Sequence, residues 1–374
     1  MRRGTSLYLD AVRFFAAFFV FIDHYADHQI TGGLFYQLAP YGAEAVVVFF
    51  VLSGYVIAFA TDTREHTVQA YLVNRAARIY SVALPALVAT FLLDTIGLSI
   101  NPELYLSLPE FQQHGQIWQF ISGFLFVNQL WSMNTPIGSN LPYWSLGYEI
   151  WYYLLFGMAL FGSKNWRFIG TIALLLIAGP RIAALFPLWL MGWATYRITS
   201  RCPPGKLFSH IFFTGAIIGW VGYEIFAHIH GRPFGLAPLF LHREQLVQDY
   251  IIGLLFSLSL LGVSAVAPLF ERLSERLADT IRWTAGATFT LYLFHMPLLM
   301  FVGALLPWPR TSIALRLTLF VVPLLASFAI AELTERRKSA WRGWIASMLP
   351  QTIFGPKSII ASVSAMPNEL TGSR

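Results

Sequence analysis

Residues 6–28, SLYLDAVRFFAAFFVFIDHYADH, set Asp10, Arg13, Asp23 and His24 into an otherwise apolar, Phe-rich run. At about 100° and 1.5 Å per residue, Arg13 and His24 return to nearly one helix face, roughly 16 Å apart along the axis. Asp10 lies close to that face, within reach of Arg13 at i, i+3, whereas Asp23 points about 100° away from His24. An imidazole titrates near neutrality and can take a proton or attack a carbonyl. A guanidinium can hold an anion. Each also has a plainer reading, with Arg13 snorkelling to lipid headgroups and His24 resting at the interface or satisfied in the core. A charge near a bilayer centre costs about 2.5–3.5 kcal/mol, and those retained face a bundle interior or an aqueous cavity.

Further groups of the same kind lie along the chain. In NRAARIY, Arg75 and Arg78 share a face at i, i+3 and could hold phosphates in bidentate fashion; two arginines at a cytoplasmic membrane edge are also what topology alone supplies. Glu149 in PYWSLGYEIWYYLLFG sits one to two turns into an apolar segment beside Trp144 and Tyr148, as a functional carboxylate or a partner for an intramembrane cation. His295 in LYLFHMPLL precedes Pro297, and a proline kink beside an imidazole suits a lined cavity; a packing histidine is the alternative. His228, His230 and His242 fit no metal-ligand spacing, so no metal is expected. The sequence has no Gly-x-Ser-x-Gly elbow, phosphate-binding glycine loop or HExxH motif. Histidine-assisted chemistry remains.

Such residues need elements to carry them through a membrane. Of 374 residues 56% are apolar and 12% charged, about half the charged share of a soluble chain. An all-α, polytopic integral membrane helix bundle is therefore expected. Mainly apolar runs of about 20 residues fall near 8–27, 41–60, 78–98, 143–162, 167–182, 183–199, 207–229, 248–268, 284–306 and 313–334. Pro180, Arg181 and Pro187 crowd the junction of the fifth and sixth. About ten spans place both termini on one side. With that side cytoplasmic, all but six of the 25 Lys and Arg residues lie inside; Arg181, Arg232, Arg243 and Arg310 fall in outer loops, and Arg13 and Arg316 within spans. The scattered basic residues fit topology and argue against nucleic acid as a partner.

The connection 99–142 lacks Lys and Arg, as an outer loop should, and its stretch IWQFISGFLFVNQLW reads as a re-entrant or interfacial helix flanked by Trp118 and Trp131. The apolar run after Arg2 and Arg3 is expected to be a retained first helix, because IDHYAD stands where a signal-peptide cleavage site would be. Residues 1–338 form the transmembrane unit, and 339–374 are expected to be a loosely ordered cytoplasmic tail in which Trp341 and Trp344 anchor at the interface. The lone Cys202 excludes an intrachain disulfide.

Five ordered segments resemble the acyltransferase 3 family of integral membrane proteins, which O-acylate polysaccharides and other glycans. LYLDAVRFFAAFFVFIDH is similar to the family's first helix, its Arg-x10-His pattern falling on Arg13 and His24. FFVLSGYVIA resembles its Phe-Phe-x-Leu-Ser-Gly signature, RAAR its Arg-x-x-Arg, YWSLGYEIWYYLL its Trp-Ser-Leu-x-x-Glu segment and LYLFHMPL its Leu-Tyr-x-x-His-x-Pro segment. There are departures. Ile150 stands where many members have a second Glu, Ser81 where many have Pro, and the closing Glu-Arg-Pro pattern reads Glu335, Arg336, Arg337. Some relatives carry a C-terminal esterase-like domain; this chain is expected to be the standalone kind.

The resemblance implies transfer of an acyl group, acetyl above all, from cytoplasmic acetyl-CoA or another acyl-CoA to a hydroxyl of a cell-surface glycan, in the bacterial cytoplasmic membrane. It implies His24 as base or nucleophile and Glu149 as a group that orients or balances charge. Arg75 and Arg78 would hold the CoA phosphates, with Arg13 along the channel. Asp10, Trp144 and His295 would line the channel or acceptor site. Acyl-CoA, the glycan, the lipid bilayer and polysaccharide-assembly proteins are the expected partners. The rival from another class is a transporter or flippase using the same polar face, although the sequence shows no internal repeat; a non-catalytic scaffold is a third.

Overall fold

A computed structural model describes residues 1–231 and 245–348. Arg232, His242 and Arg243 and the tail beyond 348 lie outside the described residues. The chain is a bundle of helices: α1 (Arg3–Tyr25), a short α2 (His28–Thr31), α3 (Pro40–Thr63), α4 (Val68–Ile100), α5 (Pro102–Leu106), α6 (Gln116–Phe124), α7 (Trp144–Phe161), α8 (Trp166–Ala178), α9 (Pro180–Arg201), α10 (Lys206–His230), α11 (Leu246–Leu261), α12 (Val263–Glu271), α13 (Glu275–Ala285), α14 (Thr288–Leu305), α15 (Ile313–Leu333) and α16 (Lys338–Met348). Every expected span coincides with a helix or, for 248–268, with the pair α11 and α12, bent by 59° at a break.

By length and apolar composition six of these helices can cross a membrane unaided, or seven if the bent pair is one span. α8 has 13 residues and a length of about 20 Å, short of the roughly 30 Å hydrocarbon layer. The chain is an all-α polytopic membrane protein. α1 begins at the same end at which α15 finishes, since Arg3 Nη2 lies 2.8 Å from Glu275 ahead of α14 and Glu335 after α15 accepts from the backbone N–H of Phe289 and Thr290 at 3.0 and 3.1 Å. Those two N–H groups are unpaired at the start of any helix, so Glu335, to which the sequence assigned no role, caps α14. Lys338–Met348 is helical and packs along α4, where the sequence led to a loose tail from 339.

Small residues decide how closely the helices approach. A Cβ on Gly54 of α3 would stand 1.9 Å from the Trp189 carbonyl oxygen of α9, and one on Gly192 of α9 would stand 1.8 Å from that of Val51 in α3. Each glycine thus receives the other helix's backbone, the means by which membrane helices gain van der Waals contact without a hydrophobic driving force. Pro297 does not interrupt α14. A proline lacks the N–H that would bond the carbonyl four residues back, here Leu293, and Asn140 Nδ2 supplies that bond at 2.8 Å.

Asn140 belongs to the long connection 99–142, which is tied into the bundle instead of lying over it. Ser139 donates its N–H and hydroxyl to Asp94 of α4 at 2.7 and 2.6 Å, and the Gly138 N–H donates to Gln119 of α6 at 2.9 Å. The connection thereby reaches the middle of α14 and fixes where α7 starts. Its expected helix is present as α6, and Trp118 and Trp131, 47% and 55% exposed, face outward as interfacial residues do.

Candidate active site

α1 is continuous from Arg13 to His24, so the axial separation of roughly 16 Å expected from spacing holds. Arg13 Nη1 lies 3.4 Å from Asp10 Oδ1. Asp23 packs against α3, where a Cβ on Gly42 would come within 2.4 Å of its side chain, and it takes no part in the histidine geometry.

His24 has a partner thirteen helices further on, in α14. His295, fully buried in α14, places Nε2 3.1 Å from His24 Nδ1, with ring centroids 5.1 Å apart. The surrounding carbonyls fix the protons. His295 Nδ1 lies 2.8 Å from the Leu291 carbonyl and His24 Nδ1 lies 2.9 Å from that of Val20. A carbonyl only accepts, so both imidazoles carry hydrogen on Nδ1. His295 Nε2 then presents a lone pair to the His24 Nδ1–H. This leaves the His24 Nε2 lone pair without a hydrogen-bond partner among the described residues, in the state a general base requires.

On the α1 N-terminal side of this pair is a cavity whose walls are mainly apolar, and its polar lining includes Arg13, Arg78, Ser53, Glu149, Tyr153 and Tyr292, with Ser145 and Thr288. All five segments noted in the sequence therefore meet in one space, the second of them through Ser53. Glu149 accepts from Ser53 Oγ at 2.9 Å and from the Tyr153 hydroxyl, and Trp189 Nε1 donates to Ser53 at 3.3 Å. No hydrogen bond joins Glu149 to either imidazole among the described residues; its charge acts on Arg78 instead. Ser145 and Tyr292 close the far end, their hydroxyls 2.7 Å apart.

Two residues fall elsewhere than the sequence led one to expect. α4 starts at Val68, capped by the Thr67 hydroxyl, which accepts from the Ala70 N–H at 3.2 Å. The arginines therefore sit in its second and third turns, not at its entry. Arg75 is buried and bound to buried Glu65 at 2.5 Å, between the rings of Tyr71 and Tyr153 at 5.6 and 5.7 Å; it does not line the cavity. Arg78 does, and its guanidinium has no ion-pair or hydrogen-bond partner among the described residues. Trp144 packs edge-on against Tyr148 at 5.2 Å, and the neighbouring Ser145 takes the place on the cavity wall. Lys338, which sequence reasoning passed over, lies in the common field of Asp10, Arg13, Arg78 and Glu335. No spacing rule brings a residue after the last span to the first helix. Among the described residues no group of three His, Cys, Asp or Glu is arranged to hold a metal ion.

The family model described as an acyltransferase domain, that of the acyltransferase 3 proteins, matches residues 6–332. The chain belongs to this family. Among curated proteins it is similar to acyltransferase MdmB of Streptomyces mycarofaciens, 31% identical over 48% of this chain and 47% of that one. It is also similar to the exopolysaccharide production protein ExoZ of Rhizobium meliloti (strain 1021), 31% identical over 38% and 43%, and to an O-acetyl transferase of Shigella phage Sf6, 26% identical over 48% and 56%. The chain spans about half the length of these relatives. No solved structure matches. The family match contains every segment that lines the cavity and both histidines.

Proposed function

We propose that this protein is a membrane O-acyltransferase that moves an acyl group, acetyl above all, from acyl-CoA to a hydroxyl of a cell-surface glycan. The observation that carries the reading is the His24–His295 pair at 3.1 Å, on the far side of a mainly apolar cavity whose entrance helix supplies Arg13 and whose wall supplies Arg78. Acetyl-CoA is favoured because an anionic head on a long, narrow, uncharged arm suits two cations set along a passage. The relatives' names, an O-acetyl transferase and an exopolysaccharide production protein, support acetyl and a glycan. The preponderance of Lys and Arg on the side bearing both ends of the bundle supports a bacterial cytoplasmic membrane with the donor inside.

In the reaction the donor's phosphates rest against Arg13 and Arg78, with Lys338 adding to the field, and the thioester reaches His24. His24 Nε2 takes the proton of the acceptor hydroxyl as the oxygen bonds to the thioester carbonyl carbon. The C–S bond then breaks, and the proton passes to the leaving thiolate, giving ester and free CoA. The Val20 carbonyl holds His24 in the required tautomer, and His295 orients its ring. Glu149, held by Ser53 and Tyr153, balances the guanidinium of Arg78.

Purified protein in liposomes, given radiolabelled acetyl-CoA and a glycan acceptor, is expected to label the glycan, and His24→Ala to abolish labelling while remaining folded. Labelling retained in that variant would refute the role of His24. Movement of glycan across the membrane without labelling would favour the transporter.

A further inference from the structure

A second cavity opens at the other end of the bundle; α14 runs from one cavity to the other, and α1 leads from the first to α2, which lines the second. On α14 Phe289 and Tyr292 line the first cavity, His295 follows, and Leu299 and Gly303 line the second. Along the first part of the chain the order is the same: Arg13 lines the first, His24 follows, and Gln29 lines the second. The imidazole pair therefore stands between two spaces, the first with Glu149 and two arginines set in mainly apolar walls and the second with Gln29, Asn101 and Arg310 set among apolar side chains.

The second cavity's chemistry is specific. Gln29 and Asn101 offer amides, Trp308 is 43% exposed and offers a ring face, and Arg310 brings the lining's one charge. Arg310 donates to the Gln29 side-chain carbonyl and has no carboxylate within 4.0 Å among the described residues. No acidic side chain lines the cavity. A sugar ring has an apolar face that stacks on indole and hydroxyls that pair with amides, and a guanidinium forms its strongest bonds with a carboxylate.

Building on the acyl-transfer reading, we propose that the outer cavity seats a carboxylate-bearing sugar unit of the glycan, a uronic acid or an equivalent acidic hexose, and that Arg310 selects it. The ring lies on Trp308, its carboxylate on Arg310, and a hydroxyl is directed toward His24. The donor enters from the other cavity, so the two substrates meet at the imidazole pair without sharing an entrance.

The test measures binding, not transfer, so its outcome is independent of the acyl-transfer reading. Full-length protein in nanodiscs is titrated with tetragalacturonate and with its carboxyl-reduced neutral counterpart. The acidic oligosaccharide is expected to bind at least tenfold more tightly. Arg310→Gln should erase that preference, Arg310→Lys should keep part of it, and Trp308→Ala, at an exposed position with little bearing on folding, should weaken both ligands. Equal binding of the two oligosaccharides, or a preference untouched in Arg310→Gln, overturns the proposal. Displacement of tetragalacturonate by phosphatidylglycerol in the nanodisc also overturns it, because the cavity would then be a lipid-headgroup site. If transfer to every acceptor failed while this preference persisted, the chemistry assigned to His24 would fall and the acidic-sugar site would stand.

Discussion

Replacing Arg78 by Ala should weaken acetyl-CoA binding about ten- to a hundredfold and leave the fold intact, whereas replacing Arg75, three residues earlier, should do the reverse. Arg78 lines the inner cavity and has no ion-pair partner among the described residues. Its truncation removes charge-assisted bonds to a phosphate, worth about 1.5–3 kcal/mol, and each 1.4 kcal/mol or so is a factor of ten in dissociation constant. Arg75 is bound to Glu65, and the side chains of the pair are only 11% and 5% exposed. Removing the arginine leaves a buried carboxylate whose remaining bond comes from Asn74 at 2.9 Å. Breaking such a pair costs about 3–5 kcal/mol. Both variants would be reconstituted in nanodiscs, titrated calorimetrically with acetyl-CoA and melted in parallel. Arg78→Ala should lose affinity at an unchanged melting temperature, and Arg75→Ala should melt earlier, with near-normal affinity in the fraction that folds. Equal loss of affinity in the two at unchanged stability would show that they act together as a phosphate clamp and would refute the division drawn from the structure.

The imidazole pair makes a kinetic prediction. His295→Leu removes one of the two acceptors of the His24 Nδ1–H; the Val20 carbonyl at 2.9 Å still holds the tautomer, but the ring loses its orienting partner, and kcat should fall by up to about a hundredfold with KM for acetyl-CoA unchanged, as misplacing a catalytic group by about 1 Å does; His295→Gln, which can still accept, should recover part of it, and a KM effect instead would indicate a merely structural role. Glu335→Ala should cost about 1–2 kcal/mol by uncapping α14, seen as a lower melting temperature. Gly54→Leu should prevent stable assembly, because its side chain would occupy the space of the Trp189 carbonyl; normal yield and monodispersity would contradict the close α3–α9 approach.

Much of the site was legible because it lies on helices whose periodicity is known in advance. The span α1 makes from Arg13 to His24 is a local geometric consequence of eleven helical residues, and the five motif segments marked which helices carry polar groups inward. Arg75 and Arg78 show where such reading stops. They share a helix face, but which of them meets the cavity depends on Glu65, ten residues away in a turn whose path no periodicity describes. Trp144 and Ser145 exchange roles for a similar reason, since one residue is a rotation of about 100°, and the start of α7 is set by Ser139 on Asp94 and Asn140 on Leu293.

What the sequence determined by itself is the class of molecule and the list of chemical groups: a low charged fraction and long apolar runs require membrane helices, and the charges that persist in them are too costly to be accidental. The tertiary structure alone decided how those groups combine. That His295 faces His24 across 271 residues, that among the described residues Glu149 bonds to Ser53 and Tyr153 and to neither imidazole, and that a second cavity lined by Arg310 opens beyond the pair all follow from how separate helices pack. Packing between helices is set by side-chain shape, glycine contacts and bonds to freed carbonyls, none of which has a period along the chain.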